Sequence, residues 1–337
     1  MPARTYRPSP RNLRLLAAAL RRGELVAMPT ETVYGLAANA LDARACRKIF
    51  AAKRRPANDP LIVHVPDLRA AEKLAVFNEA ARVLAKKFWP GPLTLVLPKR
   101  AVVPGIVTSG QDTVALRSPA HPLARRLLQL AGIPLAAPSA NPFGYVSPTT
   151  AEHVHAGLGR RIKHILDGGA CPVGVESTIV DVSDPHRLRV LRPGAISARQ
   201  LSDVLRAAGL RATVSQPQRK PQVLAPGLLD QHYSPHTPLS LCTRIASALR
   251  HEPGSKTALI FWRKPAGHAR KNWHWLSDAG SPEQAARNFY SLLRRTDATG
   301  HTRIVAEKAP ASAGHLGVAI NDRLTRAAGK RRAPGSR

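Results

Sequence analysis

The chain has 337 residues, 44% of them hydrophobic, which is enough to bury a sizeable core and favours two domains over one. No apolar run approaches the roughly 18 residues that cross a bilayer, and three widely separated cysteines exclude a disulfide scaffold or a zinc ribbon. Basic residues outnumber acidic ones by 51 to 21, for a net charge of +30, which indicates either a polyanionic partner or an arginine-rich composition.

The N-terminal segment is predicted to be a capped helix rather than a targeting signal. Ser9 and Pro10 precede apolar residues at helical spacing between Leu13 and Leu20, while Arg14 interrupts the apolar run that a signal peptide needs. We therefore expect a cytoplasmic protein without a membrane association.

From residue 24 to about 208, short β-rich runs alternate with helical patterns. The predicted strands are Leu25–Met28, Leu61–Val65, Leu93–Leu97, Thr113–Arg117, Ile133–Ala136, His164–Leu166, Thr178–Val182 and Leu188–Leu191. The predicted helices are Asp42–Lys53, Asn78–Phe88, Pro122–Leu130, Thr149–Ala156 and Ala198–Ala207. Some connections carry helices and Ser177–Leu191 resembles a hairpin, so we predict an α/β fold with a twisted, mixed sheet.

The sequence then changes character. Residues 209–237 contain a stretch rich in Gln, Pro and basic residues without apolar periodicity, which is typical of an extended linker. A β/α pattern resumes afterwards, with strands at Lys256–Trp262 and Arg303–Ala306 and helices at Pro282–Thr296 and Leu316–Ala328. The predicted organisation is a catalytic domain at 9–208, the linker at 209–237, a smaller α/β domain at 238–329 and a basic tail at 330–337.

Polar clusters follow several predicted strands, where open α/β sheets collect their ligands. Among them, the cations Lys53, Arg55, Arg117 and Arg192 can neutralise phosphates, and the hydroxyls and amides of Thr32, Ser139, Asn141 and Ser177 can bind an amino acid or a nucleotide. No Cys/His or Ser/His/Asp set stands out, and no GxxxxGK[ST] or GxGxxG motif occurs. This pattern favours catalysis by positioning and charge neutralisation, as in phosphoryl or nucleotidyl transfer.

Structural explanations stay open for each cluster. The basic run at 53–55 is also what complements a helix dipole, and Glu31 and Glu176 are compatible with solvated or capping positions. The functional interpretation therefore depends on the combination and order of the clusters, and not on any one of them.

Seven segments in order resemble the YrdC/Sua5 family, namely PTETVYGLA, KRRPANDPLIVHV, WPGPLTLVL, VALRSPAHP, APSANPFGYVSPT, VGVESTIVD and LRPG. Three later segments resemble the linker and C-terminal domain of the two-domain Sua5 type, namely APGLLDQHYSPHTPL, AARNFYSLLRRTDATG and LGVAINDRLTRAAG. The resemblance covers roughly residues 10–329 and implies a YrdC-like sheet followed by a Rossmann-like Sua5 domain.

The family consists of L-threonylcarbamoyladenylate synthases, so the resemblance implies a nucleotidyltransferase. L-Threonine and bicarbonate would form N-carboxy-threonine, whose carboxylate attacks the α-phosphate of ATP, and pyrophosphate leaves. Mg²⁺ is expected on the phosphates. A t6A-transfer enzyme complex would pass the threonylcarbamoyl group to adenosine 37 of tRNA, with transient tRNA contact and no membrane.

The resemblance also assigns residues. Lys53, Arg55, Ser139 and Asn141 match the family's K-x-R…S-x-N set and are the expected catalytic group. Threonine would be held by Thr32, His64, Arg117, Ser139 and Ser177. The ATP site would be lined by Lys53, Arg55, Asp59, Thr113, Asn141, Ser147, Thr149, Arg192 and Tyr233, and no protein metal site is expected.

Among the departures from the family pattern, the one at Asp59 bears on the phosphates, and two of the assignments keep an alternative. Asp59 stands where the family usually has Asn, which puts a negative charge near the phosphates. Tyr233 is expected to reach the nucleotide as part of a linker lid, although a passive tether is the alternative. The competing function is an RNA-binding module that uses a basic concave face without catalysis; a carbamoyltransferase-type relative is disfavoured because zinc-finger CxxC motifs are missing.

Overall fold

A computed structural model describes residues 2–216, 233–251 and 256–329 of the chain. The central part of the predicted linker, 217–232, and the predicted basic tail, 330–337, lie outside the described residues. The described chain forms two compact units. The first holds the residues up to Phe143 and those from Ser147 to 216, and the second holds Gly144–Val146 and the residues from 233 onward.

The first unit contains eleven strands and eight helices within its described residues. The strands are β1 (Arg4–Tyr6), β2 (Val26–Met28), β3 (Gly35–Asn39), β4 (Ile62–His64), β5 (Leu93–Pro98), β6 (Thr113–Arg117), β7 (Leu135–Ala136), β8 (His164–Leu166), β9 (Thr178–Asp181), β10 (Arg187–Arg192) and β11 (Thr213–Ser215). The helices are α1 (Pro10–Arg21), α2 (Ala43–Lys53), α3 (Leu68–Ala71), α4 (Glu79–Phe88), α5 (Gly105–Thr108), α6 (Pro122–Ala131), α7 (Ala151–Leu158) and α8 (Ala198–Ala207).

The strands form one mixed sheet in the order β1-β8-β2-β3-β7-β4-β6-β5-β9-β10-β11. Parallel pairs such as β4–β6 and β5–β9 alternate with antiparallel pairs such as β5–β6 and β9–β10, so the predicted mixed sheet and the predicted hairpin are confirmed. Alanine, leucine and valine side chains of the central strands, including Leu95 and Leu116, are buried in the hydrophobic core. The parallel pairing of β4 with β6 sets His64 opposite Arg117.

Helix α2 ends at the basic run 53–55, which contains two of the predicted site residues. Its N-cap is Asp42, whose side chain accepts a hydrogen bond from the Arg44 backbone N–H. Its C-cap is Arg54 in the left-handed region, with a φ of 54°. The chain therefore turns sharply between Lys53, in the last helical turn, and Arg55, and both of these side chains are buried while Arg54 is exposed.

Three strands of this unit, β1, β3 and β11, were not among the predicted strands. β3 was not predicted, because its Gly-Leu-Ala-Ala-Asn sequence has little strand propensity and forms a strand only through pairing with β2 and β7. β11 falls in the segment predicted as linker, and it pairs in parallel with β10.

The second unit holds a separate, four-stranded parallel sheet in the order β12-β15-β13-β14. Its elements are β12 (Leu239–Cys242), α9 (Ser247–His251), β13 (Thr257–Arg263), β14 (Trp273–Ser277), α10 (Pro282–Asp297), β15 (Arg303–Glu307), a 3₁₀ turn (Ala311–Ala313) and α11 (Gly314–Ala327). The predicted second α/β domain class is confirmed, although β12 and β14 were not predicted. Across the described ranges, no helix combines the length and apolar character that a membrane crossing requires.

Candidate active site

Arg117 is the centre of a buried polar cluster at the end of β6. Its guanidinium forms an ion pair with Glu31 at 2.7 Å and donates to Thr32 Oγ1 at 3.0 Å and to the Gly91 carbonyl at 3.3 Å. Glu31 Oε2 also accepts a hydrogen bond from the Ala120 backbone N–H at 3.0 Å. Two of the five predicted threonine ligands, Thr32 and Arg117, are therefore in direct contact.

His64 lies beside Arg117 and is 3% exposed. Burial and the positive charge of Arg117 lower the pKa of His64 to about 3, so its imidazole is neutral at physiological pH. Its Nδ1 is buried without a hydrogen-bond partner in the described chain. A buried ring nitrogen in this state is suited to bind a neutral hydroxyl group.

Ser177 connects the two predicted ligand sets. Its Oγ lies 2.8 Å from Thr94 Oγ1 and accepts a hydrogen bond from Arg192 at 3.1 Å. Arg192 also donates to the Ser177 carbonyl. A residue expected to bind threonine thus touches a residue expected to bind ATP.

Lys53 holds the loop that carries Ser139 and Asn141. Its Nζ donates to the carbonyl oxygens of Ser139 at 2.6 Å and of Asn141 at 2.5 Å, and the side chain is 1% exposed. Burial lowers the pKa of Lys53 well below its usual range, and Arg55 lowers it further. Direct hydrogen bonds therefore join three of the four K-x-R…S-x-N residues, namely Lys53, Ser139 and Asn141.

Arg55 forms a second buried ion pair, with Asp59 at 2.8 Å. Its guanidinium also donates to the Asp59 and Pro60 carbonyl oxygens. Burial raises the pKa of Asp59, although the charges of Arg55, Lys53 and Arg192 lower it in part. The negative charge that replaces the family's usual Asn is thus placed directly on a cation expected to bind phosphate.

The side chains of three predicted ATP residues are buried and hydrogen-bonded to residues outside the K-x-R…S-x-N set. Ser147 donates to Glu176 Oε1 at 2.6 Å, and Thr149 lies with its Oγ1 3.3 Å from His153 Nδ1. Asn141 donates from its side-chain amide to the Pro142 carbonyl at 2.8 Å.

Two predicted ATP residues remain, Thr113 in the first unit and Tyr233 in the second. Thr113 is the first residue of β6, at the opposite end of the strand from Arg117, and its Oγ1 is buried without a hydrogen-bond partner within the described ranges. Tyr233 belongs to the second unit, where its buried ring packs 5.7 Å from Tyr290 and lies under the guanidinium of Arg323.

Two acidic residues for which solvated or capping positions stayed open are instead buried against predicted ligand residues. Glu31 and Glu176 are 7% and 5% exposed, and each binds a predicted ligand residue. Burial alone raises the pKa of Glu31, but the charge and hydrogen bonds of Arg117 outweigh it, so its pKa is lowered. The available signal was an acidic residue next to Thr32 in a largely uncharged segment, because a buried charge requires a partner.

The carboxylates of this region do not form a metal centre. Within the described residues, no three His, Cys, Asp or Glu side chains are grouped to hold a metal ion. Glu31 and Asp59 are paired with arginines and Glu176 accepts a serine hydroxyl, so these groups do not fit a resident Mg²⁺ site.

Two family models match successive parts of the chain. The Sua5–YciO–YrdC model, described as telomere recombination, matches residues 18–194. The model described as the C-terminal domain of threonylcarbamoyl-AMP synthase matches residues 196–329.

Similar proteins span nearly the whole chain. A threonylcarbamoyl-AMP synthase from Pyrococcus abyssi is 40% identical over 330 residues, covering 95% of this chain and 94% of that protein. One from Bacillus subtilis is 40% identical over 326 residues, covering 94% and 92%. The crystal structure of P. abyssi Sua5 complexed with L-threonine superimposes with a TM-score of 0.85 at 39% identity, covering 96% of this chain and 97% of that chain. With both matched regions present in order, this chain belongs to the Sua5/YciO/YrdC family and carries the Sua5 C-terminal domain.

Proposed function

We propose that the chain is an L-threonylcarbamoyladenylate synthase that makes threonylcarbamoyl-AMP from L-threonine, bicarbonate and ATP. The observation that carries this proposal is the contact of Ser177 with Arg192, because it joins an amino-acid subsite to a phosphate subsite. The names of the P. abyssi and B. subtilis relatives, and the L-threonine bound to the P. abyssi protein, support the same reaction.

In this reaction the amine of threonine first takes up bicarbonate to give N-carboxy-threonine and water. A carboxylate oxygen of that group then attacks the α-phosphorus of ATP, and the bond from this phosphorus to the bridging oxygen of pyrophosphate breaks. The chain's own contribution is to orient the two reactants and to neutralise charge, since no covalent nucleophile is needed.

In the threonine subsite, Arg117 would pair with the substrate carboxylate. Glu31 and Thr32 hold its guanidinium in one orientation, which limits the loss of side-chain freedom on binding. The neutral imidazole of His64 would bind the substrate hydroxyl, while Ser139 and Ser177 would complete the subsite.

In the ATP subsite, Arg55 and Arg192 would bind phosphate oxygens, together with Asn141, Ser147, Thr149 and Thr113. Lys53 would act through its hydrogen bonds to the carbonyl oxygens of Ser139 and Asn141 as well as through its charge. Tyr233 stays a predicted nucleotide contact. Mg²⁺ would arrive bound to the triphosphate, since the nearby carboxylates are already paired.

The product is a labile mixed anhydride, so a downstream acyl-transfer system must consume it. We propose that this is the t6A-transfer complex acting on position 37 of tRNA, with transient tRNA contact and a cytoplasmic location. The boundaries 9–208, 209–237 and 238–329 remain our proposed domain division.

Pyrophosphate release from ATP tests the proposal directly. We expect release only when L-threonine and bicarbonate are both present, with L-serine poorer by about 10- to 100-fold because one methyl contact is lost. Release of inorganic phosphate as the main product, independent of threonine, would contradict the proposal.

A further inference from the structure

A short segment between two proposed ATP contacts folds as part of the second unit. Gly144–Val146 belongs to that unit, although Phe143 before it and Ser147 after it belong to the first. Asn141 precedes the segment by three residues, and Ser147 follows it directly. Ser147 is fully buried, and its hydroxyl donates to Glu176 Oε1 at 2.6 Å. Contacts that fix the segment therefore also help to fix Ser147.

Tyr145, at the centre of this segment, is held by three side chains of the second unit. Its hydroxyl donates to Asp297 Oδ2 at 2.9 Å. Its ring stacks on His236 with 4.6 Å between the ring centroids, and the guanidinium of Arg294 lies 4.8 Å from the centroid of the same ring. A hydrogen bond, a stacked ring and a cation–π contact together fix both the direction and the plane of the tyrosine ring.

The backbone on either side of Tyr145 is held as well. The Ser234 backbone N–H donates to the Gly144 carbonyl at 2.8 Å, and the Arg294 guanidinium donates to the Val146 carbonyl. Three consecutive residues are thus bound, so the course of the chain is fixed and not only the position of one side chain. Arg294 contributes twice, because it contacts both the ring of Tyr145 and the carbonyl of the next residue.

Arg294 and Asp297 are both charged in these positions. Arg294 is 7% exposed, and burial lowers its pKa to about 10, which leaves the guanidinium protonated at neutral pH. Burial raises the pKa of Asp297, but hydrogen bonds from the backbone N–H groups of Thr237 and His236, at 2.7 and 3.0 Å, and from Tyr145 outweigh it, so the pKa is lowered. A hydrogen-bonded charged set specifies one geometry, whereas apolar packing alone would tolerate a shift of the segment.

We propose that Tyr145, Arg294 and Asp297 are positioning residues of the ATP subsite. They hold Gly144–Val146 in the one course that places the following Ser147 for the nucleotide, and they act through the chain rather than by touching the nucleotide. A misplacement of about 1 Å, caused by a change far from the chemistry, can lower a rate by about 10²-fold, so residues outside the subsite can control it. This inference rests on the proposed function, because that function assigns the flanking residues to ATP.

Steady-state kinetics of pyrophosphate release by the full-length protein test the proposal, with ATP and threonine varied in turn. Tyr145→Phe keeps the ring but removes the hydroxyl that binds Asp297, so the KM for ATP should rise by about five- to tenfold. Arg294→Met removes the cation and the donor to the Val146 carbonyl, so the KM for ATP should rise by about tenfold or more. In both variants the KM for threonine should stay within about twofold of its original value.

Three further variants separate positioning from a general loss of packing. Arg294→Lys retains a charge and a donor, so it should recover part of the affinity for ATP that Arg294→Met loses. Arg295→Met is the matched control, because Arg295 is the exposed neighbour on α10. Tyr6→Phe is the control for the loss of a tyrosine hydroxyl, since the Tyr6 hydroxyl lies 3.0 Å from His164 Nδ1 in the first unit. Both controls should keep the KM for ATP of the unmodified chain.

Equilibrium binding of α,β-methylene-ATP, measured by calorimetry without threonine, needs no turnover and so separates this proposal from the proposed reaction. The dissociation constant should rise in Tyr145→Phe and rise further in Arg294→Met. The proposal is overturned if both variants bind the analogue like the unmodified chain, if the KM for threonine rises by the same factor as the KM for ATP, or if Arg295→Met has the effect of Arg294→Met. An unmodified chain that binds the analogue but releases no pyrophosphate would contradict the proposed reaction instead, and the binding comparison among the variants would still decide whether the segment is positioned in this way.

Discussion

The first unit contains two buried arginine–carboxylate pairs of similar length and different character. Glu31 and Arg117 are 2.7 Å apart, and Asp59 and Arg55 are 2.8 Å apart. Glu31 also accepts a backbone N–H, and its pKa is lowered despite burial. Neither carboxylate oxygen of Asp59 accepts a well-aligned hydrogen bond from the described chain, and burial raises its pKa.

Supporting hydrogen bonds, rather than the ion-pair distance, therefore decide whether a buried carboxylate is stable in its charged form. Glu31 is held as an anion and keeps Arg117 in place. Asp59 is held less well as an anion, so a triphosphate can displace it from Arg55 or leave it protonated. We infer that the Glu31–Arg117 pair is a fixed support, whereas in the Asp59–Arg55 pair the carboxylate can be exchanged for a phosphate of the substrate.

The largest effect is expected from Lys53, whose charge also stabilises the Asp59 anion. Replacing it with Met keeps the length of the side chain but removes the donors that bind the Ser139 and Asn141 carbonyls. Turnover in the pyrophosphate assay should fall by about 10²–10³, the usual loss for one preorganised donor. Arg54→Ala is the matched control, because Arg54 is the exposed neighbour. Equal losses in both variants would indicate a diffuse basic surface instead.

The second largest effect is expected at Glu31, and it distinguishes the fixed Glu31–Arg117 pair from the exchangeable Asp59–Arg55 pair. Glu31→Gln keeps the shape but weakens the hold on Arg117, so the KM for threonine should rise by about tenfold, with a smaller change in kcat and none in the KM for ATP. Steady-state kinetics with each substrate varied in turn measure this split. A rise in the KM for ATP of the same size would mean that Glu31 acts on the whole unit and not on the threonine subsite.

Much of this arrangement was predictable from local sequence. Helix α8 was predicted with its observed bounds, and in the structure Ser197 and Gln200 form a capping box that fixes its start. Strand β14 was missed although Trp273 and Trp275 alternate with His274 and tryptophan is common in strands; the run is only five residues long, and its place in the sheet depends on pairing with β13. In the candidate site, the cations and hydroxyls were proposed from their motifs, whereas Glu31 was not. Its role depends on Arg117, which is 86 positions away, and no local pattern encodes that contact.

The third effect is smaller and is a decrease in a KM, whereas Glu31→Gln increases one. Asp59→Asn restores the residue usual in the family and removes the negative charge that competes for Arg55. The KM for ATP should therefore fall by roughly three- to tenfold, while the KM for threonine stays the same. An increase in the KM for ATP would show that the Asp59 carboxylate positions Arg55 for phosphate instead of opposing it.

The smallest effect is a difference in how the two pairs respond to acid. The pKa of Glu31 is lowered from 4.5, so its contribution to folding is complete above that pH and is lost as the pH falls through the folded-state value. The pKa of Asp59 is raised from 3.8, so folding is favoured at low pH and loses this contribution as the pH rises through the folded-state value. Relative to the unmodified chain, Glu31→Gln should therefore be least stable near neutral pH and recover on acidification, while Asp59→Asn should gain in relative stability as the pH rises. Urea unfolding at a series of pH values, followed by pulsed hydrogen exchange in peptides covering β4 and β6, reads the first unit alone. Parallel slopes for the two variants would refute the distinction between a fixed and an exchangeable pair, because the sign of each slope follows from the direction of its pKa shift.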